Sequence, residues 1–218
     1  MTTAAVTNAL TKRLQKLPYE WDGRASILEM KNAGSRQWKQ MEWIGWYFEY
    51  LCEKELGGIL EIPGPRYARV GFDGFNSVAW DFKTHPLIDA RGKVSNEVIT
   101  NDKVGIDAAI RKSGKVGVIL AIGHATFDDS SRSFQKWHKE LKGGLSAYEK
   151  KRVKRKAPSR VRKSAFRLTE VRIFLMDAAY VKKCKLFQKG MRNSNGSKRK
   201  DKVLLNLVDT KPVAIVTF

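Results

Sequence analysis

Cysteine and histidine are scarce in this chain. Two cysteines, Cys52 and Cys184, among 218 residues exclude a thiolate-built zinc site and a disulfide framework. The three histidines, His85, His124 and His138, show neither a His-Asn-His nor a His-x-x-x-His spacing, which sets aside zincins and histidine-metal nucleases. The longest apolar run, VGVILAIG at 116–123, is far too short to span a bilayer. Residues 1–16 lack the apolar centre of a secretory signal, so a cytoplasmic protein with no membrane partner is expected. No glycine-rich segment continues into GxxxxGK[ST], which leaves nucleotide hydrolysis without support.

Acidic residues are also few, 22 against 42 Lys and Arg, for a net charge of +20. The excess is localised. Residues 150–163 (KKRVKRKAPSRVRK) hold nine basic side chains and no acid, and residues 182–202 hold nine with one acid. These two segments carry +17 of the +20, leaving a near-neutral body, and such clusters call for a polyanion, with nucleic acid as the default. Neither has the Leu/Phe stripe of a membrane-surface helix. With 42% hydrophobic residues, 6 Trp, 10 Phe and 6 Tyr, the chain has ample material for a core.

The pattern along the chain is that of one α/β domain with a mixed sheet. A short helix is expected over 5–17. A longer one is expected over 35–58, with Ser35 as cap, Gly57-Gly58 as stop, and a core stripe of Met41, Ile44, Phe48, Leu51 and Cys52. Residues 59–85 read as strands joined by a hairpin at GFNS, 96–114 as a helix closed by Gly114, and 115–127 as a strand buried on both faces. A helical region leads into the first basic segment. A strand over 166–177, a helix over 178–190, a polar loop and two strands complete the chain. Asp128-Asp129 reads as a cap on the helix that follows.

The segment GFDGFNSVAWDFK bears the chemistry. In a strand, Val78, Trp80 and Phe82 point to one face, and Asp81 and Lys83 to the other. A turn at GFNS brings Asp73 to the side of Asp81 and Lys83. Two readings fit these residues: an ion pair on an exposed hairpin, or two carboxylates holding Mg²⁺ with an ammonium beside a bound water. The tripeptide (Asp/Glu)-x-Lys occurs five times, but only Asp81–Lys83 lies in an expected strand with a second Asp eight residues upstream.

On these residues the chain resembles the PD-(D/E)xK nucleases, in particular type II restriction endonucleases. Their core runs helix, three-stranded meander, helix, strand, the order read over 35–127. The resemblance implies a restriction-endonuclease-like α/β core, a mixed central sheet flanked by helices, over 35–130. It also implies an N-terminal helical arm over 1–34 and a basic DNA-recognition region, with the remaining strands, over 131–218. Asp73 falls on the family's first metal-binding Asp, and Asp81 and Lys83 fall on its (D/E)xK pair. Gly45-x-x-x-Glu49 matches an arrangement in which the Glu is an auxiliary metal ligand; Glu42, a heptad earlier on the same helix face, is the alternative. Phe72 stands where the family usually has Pro, and the Asp73–Asp81 spacing is short, demanding a tight hairpin. The implied activity is Mg²⁺-dependent cleavage of double-stranded DNA to 5′-phosphate and 3′-hydroxyl ends by a homodimer. Arg152, Lys154, Arg155, Arg160, Arg162 and Lys163 are then expected to track phosphates. For Arg192, Asn193, Asn195, Lys198 and Arg199, base edges and phosphates are both open as contacts.

Overall fold

The computed structural model describes residues 2–157, 160–193 and 196–218, with the side chain of Tyr148 outside that description. The first 34 residues are built into the core. Helix α1 (Thr3–Leu14) starts where the Thr2 hydroxyl accepts the Ala5 N–H, and it buries Val6, Leu10 and Leu14 along one stripe. Strand β1 (Glu20–Asp22) pairs with residues 165–167, and Asp22 then caps helix α2 (Gly23–Asn32) by accepting the Ala25 N–H at 2.8 Å. Gly23 must be small, because a Cβ there would lie 2.5 Å from the Ser164 carbonyl oxygen.

The single helix expected over 35–58 is interrupted. A short 3-10 turn (Arg36–Lys39) capped by Ser35 is followed by an extended residue, Gln40, and helix α3 begins only at Trp43, running Trp43–Leu56. The cause is tertiary. The Trp43 indole donates to the Lys163 carbonyl at 2.7 Å, Glu42 pairs with the Lys163 ammonium at 2.7 Å, and the Met41 sulfur meets the Arg162 guanidinium. Three successive residues thus answer to partners at and just before the start of a distant strand, and these outweigh the few tenths of a kcal/mol per residue that helix propensity offers. Ile44, Phe48, Leu51 and Cys52 are buried as the periodicity requires; Met41 is left outside the helix.

Strands β2 (Arg66–Tyr67), β3 (Val70–Gly71), β4 (Gly74–Phe75) and β5 (Ala79–Pro86) follow. The helix expected over 96–114 is in fact strand β6 (Glu97–Asp102) and then helix α4 (Lys103–Ser113), closed by Gly114 at φ 73°. Val98 and Thr100 alternate inward with period two, and the Thr100 hydroxyl donates to the Val203 carbonyl. Strand β7 (Val116–Phe127), helices α5 (Ser133–Leu141) and α6 (Ala147–Lys154) and strand β8 (Lys163–Met176) come next. The helix expected over 178–190 stops early: α7 spans Ala178–Lys183, and β9 (Leu186–Phe187) pairs with β10 (Lys202–Asn206) before β11 (Ala214–Thr217) ends the chain.

The architecture is mixed α/β with a mixed central sheet and flanking helices. Its order is β1-β8-β7-β5-β4, with β11 also on β8; β5 and β7 are parallel and the other pairs antiparallel. A smaller sheet runs β6-β10-β9. β7 is buried on both sides: Ile119 and Ala121 pack with Trp21, Phe48 and the other helical residues of the first half, while Val118, Leu120 and Ile122 pack with Ile106, Ala109 and Val203. Asp128 accepts the Phe134 and Gln135 N–H groups and Asp129 accepts that of Ser133, so this acidic pair caps α5 as expected. Among the described residues no helix is long and apolar enough to cross a membrane.

His138 on α5 gives the fold a pH limit. It is buried, and its Nε2–H donates to the Trp38 carbonyl at 2.9 Å. Burial, joined by Lys142 and Arg162 and opposed by Glu149 and that hydrogen bond, holds its pKa below the usual imidazole value. The unfolded state therefore binds more protons just below pH ~6.5, and stability falls as pH drops through that value. Melting temperatures measured from pH 7.5 to 5 are expected to fall less steeply for His138→Gln than for the parent below pH ~6.5; parallel curves would remove His138 from the account.

Candidate active site

One hairpin brings Asp73 and Asp81 close to each other. Gly74 pairs with Trp80 and Phe75 with Ala79, and the Asp73 N–H donates to the Trp80 carbonyl at 2.8 Å. Asp73 itself lies in a bend just before β4, and its carboxylate turns onto the neighbouring strand at Phe82, where the charge of Asp81 acts on it. The short spacing is met by a tight loop in which Ser77 takes a left-handed conformation at φ 75°. The Trp80 indole donates to the Asn76 side-chain oxygen at 3.0 Å, pinning the loop to the strand.

The polar contacts around the two aspartates are asymmetric. Asp73 Oδ2 accepts the Phe82 N–H at 2.6 Å. Lys83 Nζ donates to Asp81 Oδ1 at 2.5 Å and to the Phe82 carbonyl at 3.1 Å. The same Asp81 Oδ1 accepts from Asn101 Nδ2 at 3.1 Å, and Asn101 also donates to the Gly71 carbonyl. Asp81 Oδ2 is buried and has no hydrogen-bond partner among the described residues. A buried carboxylate oxygen left bare costs on the order of 1–3 kcal/mol unless a cation meets it.

Glu49 approaches from α3. It lines a cavity of about 210 Å³ together with Asp73, Phe72, Phe82 and Trp46. Burial first, then the charge of Asp73, pushes the Glu49 carboxyl up to about 8, with Lys83 opposing. Burial and the neighbouring Asp81 push Asp73 up to about 6. Burial works against the Lys83 ammonium, yet Asp81 and Asp73 outweigh it and hold the pKa above its usual value. Three acidic groups thus crowd one lysine, an arrangement short of positive charge. Gly45 does face β5 at Thr84, but a Cβ there would make only ordinary contact, so sterics do not demand glycine.

Comparison with protein-family models, with curated proteins and with solved structures finds no match to this chain. The site therefore rests on its own geometry.

Among the described residues no three acidic, histidine or cysteine side chains form a ready-made metal shell. The donor set nonetheless suits Mg²⁺, which is usually held by one or two carboxylates with waters and substrate phosphate completing its sphere. Among the described residues Asp81 Oδ2 lacks a partner, Asp73 and Glu49 are charge-frustrated, and all the donors are hard oxygens. Glu42 lies elsewhere, bonded to Lys163 beside a cluster of arginines, so Glu49 is the helix carboxylate that shares a cavity with Asp73, while Asp81 acts on it through its charge and does not line that cavity.

Asn101 was invisible as a site residue while 96–114 read as helix. The signal was the inward alternation of Val98 and Thr100, which marks a strand delivering Asn101 to Asp81. Asn101→Ala is expected to raise the Mg²⁺ concentration for half-maximal thermal stabilisation about tenfold, the usual cost of losing a residue that orients a ligand. An unchanged midpoint would remove that role.

The basic residues form two separate groups. Arg152, Arg155, Arg160 and Arg162 line one cavity near the start of α3; Lys154 is exposed on α6, and Lys163 is engaged by Glu42. The second group sits on the loop joining β9 to β10. There Arg192 donates to the Gly196 carbonyl and Asn193 to the Ser197 hydroxyl, bonds that stay inside the loop, while Lys198 and Arg199 line an open cavity with Asp102. Asn195 lies outside the described residues. Lys202, at the base of this loop, pairs with Asp102, the neighbour of Asn101. The loop is thereby tied to the strand that supports Asp81. His85 is buried and bonded to the Ser95 carbonyl.

Proposed function

We propose that this protein is a Mg²⁺-dependent endonuclease of the PD-(D/E)xK type that cuts double-stranded DNA at a specific sequence. The observation that carries the reading is the neighbouring Asp73–Asp81 pair, with Lys83 on one oxygen of Asp81 and the other oxygen buried and without a partner among the described residues. Asp73, Asp81 and Glu49 would hold the metal. When bound, Mg²⁺ would supply charge neutralisation at the phosphate and a more acidic water.

The protein's own contribution is positioning. Lys83, fixed between Asp81 Oδ1 and the Phe82 carbonyl, would orient the attacking water and offset negative charge growing on the phosphate oxygens. The water oxygen bonds to phosphorus, the bond to the 3′ oxygen breaks, and a proton passes to that oxygen, leaving 5′-phosphate and 3′-hydroxyl ends. Asn101 would hold Asp81 in place. The two basic groups would track phosphates, and Lys198 and Arg199 would reach the groove. Cutting both strands of a palindrome needs two such sites, so a two-fold homodimer is part of the proposal.

The test is incubation with a sequenced phage genome, with Mg²⁺ and with EDTA, followed by sequencing of fragment ends. Discrete fragments only with Mg²⁺, carrying 5′-phosphates at one recurrent sequence, are expected. Intact DNA in every lane together with a salt-sensitive mobility shift would leave a binding protein whose Asp81–Lys83 pair is structural.

A further inference from the structure

We propose that Trp38 and Trp137, with the cations laid over them, form a platform on which unpaired nucleotides of the DNA stack beside the candidate active site. Its place beside the cut rests on the nuclease reading; its chemistry does not. Both indoles sit at the rim of the core, packed against the buried cluster and partly exposed. The Trp38 ring carries the ammonium groups of Lys31 and Lys39, each 5.4 Å from its centroid. The Arg24 guanidinium lies 5.5 Å from the centroid of Trp137. The His138 ring neighbours both indoles, at 6.4 Å and 6.0 Å, so the 3-10 turn and α5 bring them to one surface.

This surface escapes a count of charge by segment, because its cations are spread along the chain. Arg24, Leu28 and Lys31 recur at i, i+4 and i+7 on α2 and all are exposed, so one face of that helix runs from the one indole to the other. Residues 23–39 hold four basic side chains, Arg24, Lys31, Arg36 and Lys39, and one acid, Glu29, which is bonded to Tyr47 and Lys54. Lys31, Arg36 and Lys39 have no ion-pair partner among the described residues. A solvated basic face explains the charges but not the rings. Large aromatic rings covered at the surface only by exposed, flexible cations match a single strand, whose bases offer faces to the indoles and whose phosphates offer charge to the cations. A duplex keeps its base faces in its own stack, so the indoles favour unpaired nucleotides.

The turn that carries Trp38 also reaches the carboxylates. Ser35 caps it, and Ser35 and Gln37 line the cavity of about 210 Å³ that Glu49 and Asp73 share. Nucleotides on the platform thus lie beside the proposed metal ligands, and the substrate implied is DNA with an unpaired stretch flanking the cut.

Two measurements test this. First, the full-length protein is titrated in EDTA with a labelled oligothymidine and with a blunt duplex. Trp38→Ala is expected to weaken binding of the single strand about tenfold, within the usual effect of losing one stacked base, and to leave the duplex unchanged. Trp38→Phe should restore most of the loss, because a smaller ring still stacks. Lys31→Ala/Lys39→Ala removes only exposed side chains, so it reports on the surface whatever the indole variant does to folding. It is expected to make the log–log salt slope of single-strand binding shallower by about 1.4, the share of two phosphate contacts. No binding of the single strand by the parent, equal loss on both ligands in Trp38→Ala, or an unchanged affinity and salt slope in the variants would overturn the platform. Second, a cleaved duplex is compared with the same duplex carrying unpaired nucleotides next to the cut. The parent should show an about tenfold lower KM for the latter, and Trp38→Ala should abolish the difference. Equal KM values in the parent would overturn the placement beside the cut. If no DNA is cut, the nuclease reading fails, and the titrations in EDTA still decide the platform.

Discussion

Replacing Asp81 with asparagine is expected to lower Mg²⁺-dependent DNA cleavage at least about a thousandfold, some 4 kcal/mol of transition-state stabilisation, while DNA affinity measured in EDTA is unchanged or tighter. The substitution removes the charge from the carboxylate that is shared by Lys83 and Asn101 on one oxygen and is bare on the other. It is nearly isosteric, so the hairpin should fold as before. Loss of a negative charge near the scissile phosphate cannot weaken electrostatic attraction for DNA. Lys83→Ala should behave alike. Lys83→Arg should not restore cutting, because a planar guanidinium cannot take the place of an ammonium bridging Asp81 Oδ1 and the Phe82 carbonyl. Cleavage above a tenth of the parental rate in Asp81→Asn would move the chemistry elsewhere in the molecule.

Trp80→Ala is expected to cost about 3–5 kcal/mol of folding stability, the range for truncating a large buried aromatic. Trp80 is 1% exposed, and its six-membered ring lies so close over Gly117 on β7 that a Cβ there would come within 2.2 Å. Its indole N–H also holds the Asn76 side chain across the hairpin loop. Truncation would thus open a cavity in the core and release the loop that sets Asp73 against Asp81. Urea denaturation measures the cost, and Trp80→Phe should recover much of the packing but not the Asn76 bond. A loss under about 1 kcal/mol would mean that the hairpin is held by the ladder alone, since such a loss is typical of an ordinary point mutant.

The candidate site was legible where it depends on local periodicity. Strands alternate with period two, so Val-Ala-Trp-Asp-Phe-Lys could only put Trp80 and Phe82 on one face and Asp81 with Lys83 on the other. Asp73 was read onto that second face by the turn; in the structure it lies in a bend just before β4, with its carboxylate on the Phe82 N–H. β7 was equally plain, because a run apolar at every position needs cover on both sides. The two basic segments were visible as counts of charge.

What local pattern could not carry was any feature whose cause lies far along the chain. α3 begins at Trp43 because Lys163 offers partners to Glu42 and Trp43 across about 120 residues. Residues 97–102 are a strand because β10 pairs with them, and only that pairing brings Asn101 to Asp81. The first 34 residues looked like an arm, yet α1 and Trp21 fill the same cluster as Phe48. Burial of apolar surface rewards such contacts wherever in the chain the partner lies. The composition and spacing of this chain sufficed for a mixed α/β protein with an Asp-Asp-Lys hairpin and two strongly basic segments. The choice of Glu49 over Glu42, the support from Asn101 and the gathering of four arginines around one cavity came from tertiary packing, because each joins segments that sequence proximity keeps apart.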